Sequence, residues 1–210
     1  MKSLHPVTLA ATMGSPAGKR AQLVITIFHR VLDRPDPLLP GVPDITRFQW
    51  QMKVLADHFN VLPLHEAARR LSEGSHPARA AAITFDDGYA DNLTNALPVL
   101  ANLDLPATFF VATDYLDGGR MFNDTVIELV RRVPGESADF SAIGLGIEAC
   151  SSIAERKTLI SKLIGHFKYQ PSDQRRAAVE TMASNFGITL PTNLMMTTDQ
   201  LRKLAAARGA

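Results

Sequence analysis

The chain has 210 residues, 46% of them hydrophobic and 20% charged, which is enough apolar material for a buried core and too little charge for a disordered chain. Its 22 Lys and Arg against 21 Asp and Glu leave a net charge of +1, giving no electrostatic case for nucleic acid or an anionic membrane surface. The single cysteine, Cys150, excludes an internal disulfide and reads as a packed small hydrophobe, and no run of about twenty apolar residues exists to span a bilayer.

Residues 1–20 carry Pro6, Gly14, Pro16 and Gly18 and lack the apolar stretch of a secretory signal, so they read as a flexible lead-in and the default location is cytoplasmic. Residues 23–28 (LVITIF) form the first strand, ending at His29. Four prolines between 33 and 43 forbid regular helix there. Asp44 then caps a helix with Phe48, Met52, Leu55 and Phe59 on one face and Trp50 on the polar side. A brief strand at 60–63, a short helix at 65–71 and a turn-rich connector at 72–77 lead to the apolar run 80–85.

That run enters Asp86, Asp87, Gly88 and Tyr89. A strand covered on both faces should not end in two bare carboxylates, because neighbouring charges repel and are costly to desolvate without a cation, a shared proton or hydrogen-bond donors. Gly88 permits a sharp turn that aims both side chains into the mouth at the strand's C-terminal end, where α/β folds bind ligands. An ordinary polar strand-to-helix turn, with Asp91 or a neighbour capping the next helix, accounts for the same residues. Beyond it, Leu93, Leu97 and Leu100 mark an amphipathic helix with a kink at Pro98, and 107–112 is the next strand. Alternating strands and helices over 21–122 argue for parallel strands with crossover helices.

From Asn123 the character becomes mainly helical up to residue 195. Asn123 caps a helix that runs through Arg132, and 139–150 makes a small hairpin turning at 144–146. Ser152 and Glu155 form a capping box for a helix bearing Leu159, Leu163 and Phe167, and Ser172 opens another with Ala178, Met182 and Phe186. Over 196–210, Thr197 and Gln200 start the last helix, with Leu201, Leu204 and Ala205 facing inward.

The segments Thr84-Phe85-Asp86-Asp87-Gly88-Tyr89 and Leu105-Pro106-Ala107-Thr108-Phe109-Phe110-Val111 resemble the first signature of the polysaccharide deacetylases, the family-four carbohydrate esterases. The resemblance reaches back to Phe28-His29-Arg30-Val31 and forward to Met196-Thr197-Thr198-Asp199-Gln200-Leu201. It implies a distorted (β/α) barrel, of which this chain holds the early strands with a helical insertion, leaving an incomplete barrel. It implies a metal-dependent hydrolase removing N-acetyl or O-acetyl groups from a polysaccharide or amino sugar. Asp86 is then the general base and Asp87 a ligand to a divalent metal, zinc first, with nickel or cobalt as alternatives. His29 and Tyr89 are candidates for substrate or supporting contacts, Tyr89 by stacking on a sugar, with a structural His and a packed aromatic as the other readings.

The family's two further ligands come from a His-[Ser/Thr]-x-x-x-His motif, and no pair among His5, His29, His58, His65, His76 and His166 has that spacing. The resemblance therefore implies an N-terminal portion that ends before that motif and binds metal poorly, with its activity alone left open. A non-catalytic remnant or interaction module is the alternative, and self-association through unfinished sheet edges is expected. Magnesium-dependent phosphoryl chemistry ranks lower, since neither a phosphate-cradling glycine loop nor a companion lysine lies near the Asp pair. Acetylated glycan is the expected partner.

Overall fold

A computed structural model describes residues 6–207, which form two compact units. The first comprises residues up to Pro35, Gly41–Asp117 and the segment from Met195 onward; the second comprises Asp36–Pro40 and Gly118–Leu194.

The first unit is α/β, built on a parallel sheet as expected. Strand β1 (Leu23–Phe28) pairs in parallel with β3 (Ala80–Phe85) over its whole length, from Leu23 opposite Ala80 to Phe28 opposite Phe85. The other edge of β3 is shared, with β2 (Asn60–Val61) beside Ala80 and Ala81 and β4 (Thr108–Phe109) beside Thr84 and Phe85. Every residue of β3 is buried, which accounts for its unbroken apolar run. The four strands make an open sheet with no closed barrel among the described residues. Strand β4 is two residues long where six were expected, because Phe110 keeps one bond to Phe85 and the chain then turns.

Helices pack against this sheet. Helix α2 (Ile45–His58) is capped by the Asp44 carboxylate, which accepts from the Arg47 N–H at 2.7 Å, and it buries Phe48, Met52 and Leu55. The Phe85 ring stacks on Phe109 at 4.8 Å and on Phe28 at 5.5 Å, and Phe48 meets Phe28 edge-on at 5.1 Å. This aromatic layer lies directly beneath the end of β3. Helix α3 (Leu64–Glu73) ends at Gly74 in the left-handed conformation, and Trp50 is exposed on α2.

Two local expectations change. Residues Pro6–Gly14 form helix α1 and Gly18–Arg20 a 3-10 turn, where a flexible lead-in was expected. Thr8 on α1 shares a hydrogen bond with His58, and the Thr12 hydroxyl accepts from Arg79, which supplies the tertiary contacts a weakly amphipathic segment needs. Pro98 lies in the first turn of α4 (Leu97–Asn102), where a missing N–H is tolerated, and the stretch before it, Asn92–Ala96, is a π-helical turn rather than regular α-helix.

The second unit packs α5 (Phe122–Arg132), α6 (Ile153–Phe167) and α7 (Ser172–Asn185) with an antiparallel hairpin of β5 (Ser137–Asp139) and β6 (Ile147–Ala149). Val126, Leu129, Phe140, Leu159, Leu163 and Phe167 fill its core beside the fully buried Cys150. The Ser152–Glu155 capping box forms in full. Asn123 and Ser172 do not cap, since Met121 and Pro171 occupy the cap positions without side-chain bonds. Glu128, 7% exposed, is paired with both Arg131 and Arg132. Burial alone would lower the Arg131 guanidinium, but its hydrogen bonds to Asp36 and the charges of Glu128 and Asp36 outweigh it and hold the group above its usual range.

Helix α8 (Thr198–Ala205) returns to the first unit with its own capping box, Thr197 and Gln200. Asp117 accepts from the Thr198 backbone N–H at 2.8 Å and from its hydroxyl at 2.5 Å. No helix among the described residues is long and apolar enough to cross a membrane.

The Asp117 carboxyl is held below the usual carboxylate range by the Thr198 hydroxyl first and its N–H second. A depressed folded-state value contributes stability above the unfolded value of about 3.9 and loses it as pH falls through the folded value. The Thr198 amide resonance should therefore move only below about pH 3.9, and Asp117→Asn should flatten that titration. A titration of this amide above about pH 5 would contradict the assignment.

Candidate active site

The site is shaped by the turn that ends β3. The Asp86 N–H donates to the Phe28 carbonyl at 2.8 Å, extending the β1–β3 ladder by one bond. Asp87 and Gly88 then take consecutive left-handed conformations, φ +76° and +84°. An aspartate tolerates that region through its short polar side chain, whereas Gly88 has a second reason to be glycine, because a Cβ there would lie 2.7 Å from Val111 Cγ1. The turn is fastened on both sides: the Asp87 carbonyl accepts from Ala112 and the Gly88 carbonyl from Met196. Both carboxylates are left half-buried at the C-terminal mouth of the strand.

His29, the residue after β1, comes to the same mouth. Its Nε2 is 3.9 Å from Asp87 Oδ2, with the two side chains 55% and 30% exposed. Asp86, Asp87 and His29 are thus together and reachable from solvent. Tyr89 is not. Its ring is 6% exposed and lies under the Arg30 guanidinium at 4.9 Å, so it packs rather than presenting a face to a sugar. Asp91 does not cap the following helix either; it pairs with Arg30 Nε at 2.8 Å.

Sequence reasoning missed the partners of this loop, Arg30, Asn92 and Asn95. Their signal was an unusual density of Asp and Asn over 91–95 in a helix that apolar spacing alone had defined. Phe110, 52% exposed, was read only as part of a buried strand. His65 lines an apolar cavity of about 510 Å³ with Pro63, Thr108, Phe109, Leu201 and Leu204, and neither Asp86 nor Asp87 lines it.

A catalytic zinc takes three protein donors and keeps one position open. No group of three or more His, Cys, Asp or Glu able to hold a metal is present among the described residues. Asp87 and His29 offer one carboxylate and one imidazole, so the donor set found here falls short of a metal site by itself. What the mouth offers is a pair of sequence-adjacent, half-buried carboxylates, the second of them beside an accessible imidazole.

The family model for polysaccharide deacetylase matches residues 73–136, which contain this turn. The Bacillus subtilis (strain 168) protein YxkH, provisionally named a polysaccharide deacetylase, is 34% identical over 95 residues, covering 44% of this chain and 33% of its own. Among solved structures, a de-N-acetylase from Aggregatibacter actinomycetemcomitans superposes with a TM-score of 0.45 at 16% identity, covering 87% of this chain and 50% of that one. IcaB from Ammonifex degensii gives 0.42 at 17% identity, covering 93% of this chain and 99% of that one. The sequence match is the informative one: the segment that carries the Asp86–Gly88 turn is similar to the polysaccharide deacetylases. The chain spans a third of the length of the curated relative it matches.

Gly88→Ala should cost at least about 2 kcal/mol, combining left-handed strain with the Val111 overlap. Urea unfolding of the first unit measures it, and a loss under about 0.5 kcal/mol would mean that the turn relaxes freely.

Proposed function

We propose that the first unit supplies the Asp–Asp part of a metal-dependent hydrolase that removes N-acetyl or O-acetyl groups from a polysaccharide or amino sugar. The observation that carries this reading is the placement of Asp86 and Asp87 at the mouth of a parallel strand, inside the segment that matches the deacetylases. Asp86 acts as general base. It takes a proton from the water that attacks the acetyl carbonyl, a C–O bond forms, the bond to the sugar nitrogen breaks, and the proton passes to the leaving amine. Asp87 is one donor to the divalent ion, with zinc, nickel and cobalt as candidates, and the described residues do not complete its coordination.

That shortfall in donors also supports the second reading, a non-catalytic remnant or interaction module that keeps part of the fold. Isothermal titration with zinc, alongside acetate release from an acetylated chitooligosaccharide, separates the two. The enzyme reading expects zinc binding that is lost in Asp87→Ala, and acetate release that falls at least about a hundredfold in Asp86→Asn. Neither signal in the parent chain would leave the module reading standing.

The outer edge of β1 bears exposed Val24, Ile25 and Ile27 with no charge or proline to block another strand. Self-association through this edge with a second copy is part of the proposal. Size-exclusion elution should move to larger species with rising concentration and revert in Ile25→Lys, and a monomer at all concentrations would count against it.

A further inference from the structure

The loop after β1 is held by a set of polar side chains that the chemistry proposed above does not use. Asn92, with no exposed surface, donates from Nδ2 to the His29 carbonyl at 2.8 Å. Asp91, 9% exposed, accepts from the Val31 N–H at 3.2 Å through one oxygen and from Arg30 Nε at 2.8 Å through the other. Asn95 donates to the Val31 carbonyl at 2.7 Å and to Asp33 at 2.8 Å. Three successive residues, His29 to Val31, are thereby gripped from a single short segment.

That segment begins three residues after Gly88 and winds into the π-helical turn Asn92–Ala96. The wider winding of a π turn displaces side chains from the ordinary helical positions, and such turns recur at functional sites. Its placement here is costly. The Oδ1 of Asn92 is buried with no hydrogen-bond partner. An amide that only filled space could be replaced by an apolar residue of similar volume without leaving a buried acceptor unpaired. The amide nitrogen instead donates to the carbonyl of the residue whose imidazole stands 3.9 Å from Asp87, and more weakly, at 3.4 Å, to Asp91 Oδ1.

We propose that Asp91, Asn92 and Asn95 are positioning residues that hold His29 beside Asp87, so that the Asp–Asp turn and the His29 loop move as one body. The inference rests on the reading of Asp86 and Asp87 as the working carboxylates. The turn sets the carboxylates and the segment directly after it sets the imidazole, so a single stretch of chain, Asp86 to Asn95, carries both halves of the mouth. Among the described residues, the partner of the His29 imidazole is Asp87.

Long-range ¹H–¹⁵N correlation spectra of the histidine imidazoles in the 210-residue chain test this, with the His29 signals assigned by His29→Gln. In the parent, Asp87→Asn should shift the His29 ring nitrogens. In Asn92→Ala the same Asp87→Asn change should shift them at least about threefold less, as in a double-mutant cycle whose coupling has been removed. Asn92→Asp, which keeps the shape and replaces the donor by an acceptor, should behave in the same way and covers the case in which the alanine variant does not fold. Asp91→Asn, which keeps an acceptor for the Val31 N–H, should retain most of the response. A response in the Asn92 variants equal to the parent's would overturn the proposal, as would a parent His29 that ignores Asp87→Asn. The readout needs no turnover: a chain that loses coupling in the Asn92 variants but releases no acetate counts against the deacetylase reading alone.

Discussion

The left-handed pair Asp87–Gly88 is the constraint on which the site depends. Two consecutive residues at positive φ reverse the chain within one step of a fully buried strand, and only a residue without a Cβ fits the second position against Val111. From that reversal follow the half-buried carboxylates, the bond from Met196 that brings the start of α8 alongside, and the bond from Ala112 that closes the loop after β4. Backbone geometry, rather than a side-chain network, aims Asp86 and Asp87.

The strand ends are packed together by aromatic rings. Phe28, Phe48, Phe85 and Phe109 make a continuous ring layer in which stacked and edge-on contacts alternate, and each ring comes from a different element. Such contacts are directional as well as hydrophobic, so they hold the strand ends in register where the sheet has few hydrogen bonds left to give. The second unit is organised differently. Its helices enclose an apolar core, and one buried carboxylate, Glu128, is compensated by two arginines, with Asp36 completing the set.

How legible this was from sequence depends on the kind of signal. The β1 and β3 strands, the Phe48–Met52–Leu55 stripe and both capping boxes were readable because apolar period and cap chemistry are local properties. The Asp86–Gly88 turn was readable for the same reason. Helix α1 was not, since its stabilising contacts are to His58 and Arg79, far along the chain. Tyr89 looked available to a sugar because nothing near it in sequence announced the Arg30 guanidinium above its ring. The π turn escaped because Leu93, Leu97 and Leu100 satisfy helical spacing whether or not one turn is wider than the rest. Polar residues whose role is to hold a distant backbone leave no period behind.

Strand β3 is the hub of its sheet, for β1, β2 and β4 all pair with it and none pairs with another. On a ribosome, residues 23–28 emerge long before 80–85, so the apolar β1 has no sheet partner while the first crossover is being made. Closing that span brings an entropic cost before any ladder bond is gained, the situation in which parallel sheets fold slowly. The helices between, α2 and α3, close only local hydrogen bonds, whereas the mouth with its two carboxylates needs β3 paired with β1, so the site depends on the most distant contact of this sheet.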